Sequence, residues 1–181
     1  QRLTQDTDPK LAWSRLTRRQ RRDPVLQAAH ARTLINTGAK DVAERFLRKS
    51  ITRHWNGELV RLYGHAHSDR MEDQLHRAEQ WSGSHKDDPD LLMTLARLHL
   101  EHNDRDKARD HLLEAVRLGG SREGYLELGL LLESMGESDK ALQCYRRGLQ
   151  SPEVAGQKTI ASEVSTPPAE LVPVLESPES R

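Results

Sequence analysis

The chain has one cysteine, Cys144, in 181 residues. That excludes an intramolecular disulfide and a multi-cysteine metal cage, and it favours a reducing compartment. With one Phe, three Tyr and three Trp, there is too little aromatic bulk for a thick, two-sided core. Thin layers of amphipathic helices suit this composition better, each with one buried stripe and one wet face. No apolar run approaches the length needed to cross a bilayer. The sequence has no Gly-x-Gly-x-x-Gly fingerprint, P-loop, Gly-x-Ser-x-Gly elbow or His-Glu-x-x-His helix, so neither a catalytic residue nor a metal ligand is expected. Opening at Gln1 rather than Met, the chain is expected to be an excised or processed part of a longer protein.

Charge is present in abundance but unevenly placed. Residues 1–55 carry a net +8, residues 56–150 a net −5 and residues 151–181 a net −3, and these cancel. The basic end includes Arg15, Arg18, Arg19, Arg21 and Arg22. Zero net charge and few stacking aromatics argue against nucleic acid as a partner. Contact with anionic lipid head groups near the N-terminus is the better functional reading of that run, beside the plainer one of a solvated helix.

Small residues recur at a fixed interval. In Pro89–Gly120, Leu92, Leu95, Ala96 and His99 share one helix, Asn103-Asp104 make a turn, and Ala108, Leu112 and Ala115 mark a second helix. The layout returns 33 residues later with Tyr125, Leu128, Gly129 and Leu132, then Gly136, then Ala141, Tyr145 and Gly148. Small residues at Ala96/Gly129 and Ala108/Ala141 permit close helix approach, and the three- and four-residue spacings give the buried stripe. An earlier unit runs from Pro24 through His30, Ala31, Leu34, Gly38, Ala43 and Leu47. A degenerate one holds Leu59, Leu62, Tyr63 and Ala66, then Leu75, Ala78 and Trp81. Pro9 to Arg22 reads as one leading helix with Leu11, Ala12, Trp13 and Leu16 inward. The period matches the tetratricopeptide repeat. The expected fold is therefore all-α, a tetratricopeptide-type solenoid of about four helix pairs plus a leading helix and a C-terminal extended tail. Its expected parts are a basic leader at 1–23, the repeats at 24–150 and a Pro-rich acidic tail at 151–181. Within the tail, Ala169–Leu175 is apolar enough to lie in a groove, of this solenoid or of a neighbour's.

Several segments also resemble the bacterial HemY family of haem-biosynthesis-associated tetratricopeptide proteins. They are the Trp13 leader, Leu59-Val60-Arg61-Leu62-Tyr63-Gly64, Ala78-Glu79-Gln80-Trp81, Asp88-Pro89-Asp90-Leu91-Leu92 with Leu95-Ala96-Arg97-Leu98, and Tyr125-x-x-Leu128-Gly129-x-Leu131-Leu132-Glu133. The resemblance spans roughly Trp13 to Leu149, and the family's N-terminal membrane hairpin has no counterpart in this sequence. It implies a parent in the bacterial inner membrane with these repeats on the cytoplasmic side. The implied role is a scaffold for late haem-pathway enzymes, with haem or porphyrin binding and transfer as the alternative.

In stacked helix pairs the first helices form the concave wall. The candidate groove residues are Val25, Arg32 and Ile35 with Ala28, then Arg61 with Val60 and Gly64. They continue with Met93, Arg97 and Leu100, and end with Leu126, Leu130 and Glu133. Such a wall is partly apolar and partly basic. It is expected to hold a protein partner through apolar area and through arginine–carboxylate pairs; porphyrin propionates would meet the same arginines. The nine histidines lack converging ligand spacing, and no cofactor is expected, haem being the one alternative.

Overall fold

The computed structural model describes residues 9–119 and 121–151. Among them are α1 (Pro9–Arg15), a 3-10 turn (Gln20–Arg22), α2 (Pro24–Asn36), α3 (Lys40–Arg53), α4 (Gly57–Tyr63), α5 (Met71–His85), α6 (Pro89–Glu101), α7 (Arg105–Arg117), α8 (Arg122–Ser134) and α9 (Ser138–Gln150). No strand occurs among the described residues. Helices α2/α3, α4/α5, α6/α7 and α8/α9 are the four hairpins of an all-α solenoid. The groove-lying segment proposed for the tail falls outside the described residues.

Local chemistry sets the start of each first helix. Asp23, Asn56, Asp88 and Ser121 each accept a hydrogen bond from a backbone N–H in the first turn of α2, α4, α6 and α8. Such caps satisfy donors that the helix itself leaves orphaned. Pro24 and Pro89 follow two of them, where a missing N–H costs nothing. Within three hairpins the turn residue, Gly38, Asn103 or Gly136, takes a positive φ of 73°, 59° or 82°. The next residue's N–H then bonds five residues back, from Ala39 to Leu34, Asp104 to His99 and Glu137 to Leu132, each at 2.9 Å.

The second hairpin departs from this plan. Helix α4 stops after seven residues, and the chain reaches α5 through an irregular loop. Buried Gln74 closes it, donating to the Tyr63 carbonyl at 2.6 Å and accepting from the Ser68 N–H at 2.9 Å.

The leader is a correction to the single helix expected over 9–22: it is two short pieces. Arg21 explains the break, since its side chain donates to the carbonyls of Leu16 (2.9 Å) and Ser14 (2.8 Å), satisfying acceptors at the end of α1. Trp13 still anchors the leader, stacking on His30 at 4.4 Å and meeting Phe46 edge-on at 5.2 Å.

Two apolar clusters fill the solenoid. Leu34, Leu47, Leu59, Tyr63, Ala78, Leu95 and neighbours make the first; Leu92, Met93, Ala96, Leu112, Leu128 and Ala141 belong to the second. Helix α6 joins them, with every residue from Leu91 to His99 buried. In the last hairpin the ring of Tyr145 lies directly on Gly129: a Cβ there would sit 2.3 Å from Cε1.

Candidate protein-binding face

Each first helix after α2 carries an acid at its second position: Glu58 in α4, Asp90 in α6 and Glu123 in α8. Each meets an arginine of the preceding first helix. Arg32 pairs with Glu58, Arg61 Nε lies 3.3 Å from Asp90, and Arg97 Nη2 lies 2.8 Å from Glu123 and 2.5 Å from Glu127. Arg97 also donates to the Arg61 carbonyl at 3.2 Å. These pairs form a ladder along the inner face, running from one repeat to the next.

The ladder changes the chemistry expected of this wall. Arg97 is 8% exposed and its donors are committed to acids of the same chain. It is therefore a structural tie rather than a free cation for a visiting carboxylate. A propionate clamp built from Arg61 and Arg97 would have to displace Asp90, Glu123 and Glu127. Arg32, Arg61 and Arg97 are outnumbered by Glu58, Asp90, Glu123, Glu127 and Glu133, so the wall is acidic on balance, where a partly basic one was expected. The missed signal was the spacing of the acids, Glu58, Asp90 and Glu123, which recur at the repeat period.

The other candidates divide by burial. Met93 is corrected from groove residue to core: it is 1% exposed, beneath α8. Ala28 and Val60 are likewise fully buried, and Gly64 lies against the Thr94 backbone. Ile35 and Leu100 are half-buried and pack on the two cores. Val25 is exposed at the N-terminal end, while Glu133 accepts the Tyr145 hydroxyl at 2.8 Å.

Leu126 and Leu130 stand 50% and 54% exposed, and Leu149 of α9 stands 75% exposed. Stepping back one repeat of 33 residues, their counterparts are Met93, Arg97 and Val116. Those three are the positions that α8 covers. Ser121 Oγ lies 3.7 Å from Met93 Sδ, and a Cβ on Gly124 would lie 3.5 Å from that sulfur and 3.6 Å from Val116 Cγ1. Glu123 and Glu127 close over Arg97. At the last repeat, the surface that receives a following helix is built of leucine and stands open among the described residues.

The histidines serve packing and polar contacts. His99 stacks on His111 with ring centroids 5.2 Å apart, and burial lowers the pKa of both. His65 approaches Glu123, whose carboxyl is held below the usual range by His65 first and then by Arg97 and Arg61, against the opposing effect of burial. His67 lies against Glu101. Cys144 is half-buried, and burial raises its thiol pKa, so it stays protonated near neutral pH. Among the described residues, no three His, Cys, Asp or Glu side chains converge on a metal position, and no helix is long and apolar enough to cross a membrane.

Comparison with known proteins agrees with this geometry. The tetratricopeptide repeat family profile matches residues 123–153, the last hairpin. No curated protein sequence matches the chain. Among solved structures, TTC0263, a thermophilic tetratricopeptide protein of Thermus thermophilus, superposes with a TM-score of 0.59 at 22% identity, covering 71% of this chain and 74% of that one. A crystal structure of MamA superposes with a TM-score of 0.51 at 18% identity, covering 69% of this chain and 75% of that one. At these identities the likeness is one of fold.

Proposed function

Proceeding from a tetratricopeptide-repeat fold, whose domains generally mediate protein–protein contacts, we propose that this chain is a scaffold taking a partner helix at the C-terminal end of its inner face. One observation carries the reading: Leu126, Leu130 and Leu149 occupy the register that α8 covers one repeat earlier. A helix about as long as α8 would cover these leucines as α8 covers buried Met93 and half-buried Val116. Burying a leucine contributes on the order of 1.5–3 kcal/mol. The net −5 of residues 56–150 favours a partner helix with an apolar stripe and basic flanks. The HemY-like segments support a finer reading, in which the partner is an enzyme of late haem synthesis and the parent protein sits in the bacterial inner membrane with this domain on the cytoplasmic side.

The test is co-purification from a bacterial membrane extract with this chain, comparing wild type with Leu126→Asp/Leu130→Asp. Both positions are exposed, so the variant keeps its helical circular dichroism. Selective loss of a bound protein in the variant supports docking at this end; identical protein sets refute it. Haem-pathway enzymes among the lost proteins support the finer reading, and their absence removes it. A Leu171→Asp/Leu175→Asp variant that binds more tightly would identify the tail as a competitor for the same leucines.

A further inference from the structure

The opposite end of the solenoid carries a different surface. Between the leader and the C-terminal end of α3 lies a cavity of about 770 Å³ lined by Arg18, Arg21, Arg22, Gln27, Ser50, Arg53 and His54. Among the described residues, no carboxylate lines it. Asp23, the nearest acid in sequence, is turned to its own helix and accepts the Val25 N–H at 2.9 Å.

Elsewhere in the molecule six arginines, Arg32, Arg48, Arg61, Arg97, Arg109 and Arg117, lie against acids. Arg18, Arg22 and Arg53 have no acidic partner among the described residues. The C-terminal end of α3 presents a partial charge of only about −0.5, which Arg53 alone more than offsets. The cavity therefore keeps a strong positive charge.

It is also held in shape. Arg21 is pinned to the carbonyls of Leu16 and Ser14, and Gln27 donates to the Arg21 carbonyl at 2.9 Å, so the loop bearing Arg18 and Arg22 is tied to α2. Ser50, more than nine-tenths buried, lines the cavity, and its hydroxyl donates to no described residue. Several guanidinium forks beside an unused hydroxyl match the tetrahedral, multiply charged oxygens of phosphate.

We propose that this cavity binds a phosphomonoester or pyrophosphate group, with Arg18, Arg22 and Arg53 as cation donors and Ser50 as a neutral donor. The volume exceeds that of one phosphate, which points to a ligand bearing further atoms. Such a group occurs both in soluble phosphorylated compounds and in the head groups of anionic lipids. This site lies apart from the leucines of the last repeat and does not depend on them.

Pyrophosphate binding to the full chain, measured by calorimetry at about 150 mM salt to suppress diffuse attraction, tests the proposal. Arg22→Gln/Arg53→Gln removes two lining charges, while Arg15→Gln/Arg19→Gln removes two from the same basic end outside the cavity. All four side chains are exposed, so neither variant threatens the fold. At least a tenfold loss in the first variant with an unchanged second supports the site. Equal losses would overturn it, as would the absence of binding to both pyrophosphate and vesicles. Phosphatidylcholine vesicles with and without phosphatidic acid distinguish the sources. Phosphatidate-dependent binding lost only in the cavity variant identifies a lipid head group; pyrophosphate binding without vesicle binding identifies a soluble ligand.

Discussion

The carboxylate of Glu127 closes over the guanidinium of Arg97, with Oε1 2.5 Å from Nη2 and 3.0 Å from Nε. Thirty residues separate the two in sequence, and the pair ties α8 to α6. Arg97 thus belongs to the stacking of the repeats before it belongs to any ligand.

Arg97→Met should therefore act on stability. It leaves Glu127, and more weakly the better-solvated Glu123, without its cation at a partly buried site, at a cost of roughly 2–4 kcal/mol. Urea unfolding is the measurement. Adding Glu123→Gln and Glu127→Gln to Arg97→Met should recover most of the loss. An unaltered midpoint in the single variant would instead mark Arg97 as free for binding.

Gly129→Ala places a methyl inside the ring of Tyr145. Overpacking of this kind costs about 1–3 kcal/mol. Because the obstruction is a side chain, Tyr145→Leu should relieve part of it even though the hydroxyl's bond to Glu133 is lost. A double-mutant cycle on the thermal midpoint should show favourable coupling between the two changes.

Gln74→Leu removes the donor to the Tyr63 carbonyl and the acceptor of the Ser68 N–H in one step. Each stranded group costs about 1–3 kcal/mol. The effect should be local first: amide exchange in residues 64–70 should speed up well before that of α6, which is buried in both cores.

Burial is the leading cause of the lowered pKa of His99 and His111, and it lowers that of His30 as well. The unfolded chain then binds more protons than the folded one between the ordinary histidine value of 6.5 and the lower folded values. The contribution is fully present above that ordinary value and is lost as pH falls below it. Asp41, Asp104 and Glu123 have lowered carboxyl pKa values and add a separate loss at more acidic pH. A thermal midpoint that falls between pH 7.5 and 5, and falls less in His99→Phe/His111→Phe, is the expected result.

Much of the fold was legible in the residues. Gly38 and Gly136 mark the turns, and Ala96, Ala108 and Ala141 permit close packing; each acts through local geometry. The early end of α4 was less legible, because it depends on Gln74, eleven residues beyond Tyr63, reaching back to bond it. The break in the leader likewise depends on which carbonyls the Arg21 side chain reaches.

The sequence by itself determined helices, caps and repeat period, because each follows from interactions within a turn or two of chain. Only the tertiary structure decided which positions remain free. Met93 and Leu126 share one place in the repeat, yet α8 covers the first and no described helix covers the second. Arg97 and Arg53 have the same side chain, yet one meets two glutamates and the other faces a cavity that no described acid lines. Exposure and unmatched charge depend on the neighbouring element, and a helix's own sequence does not state what packs against it.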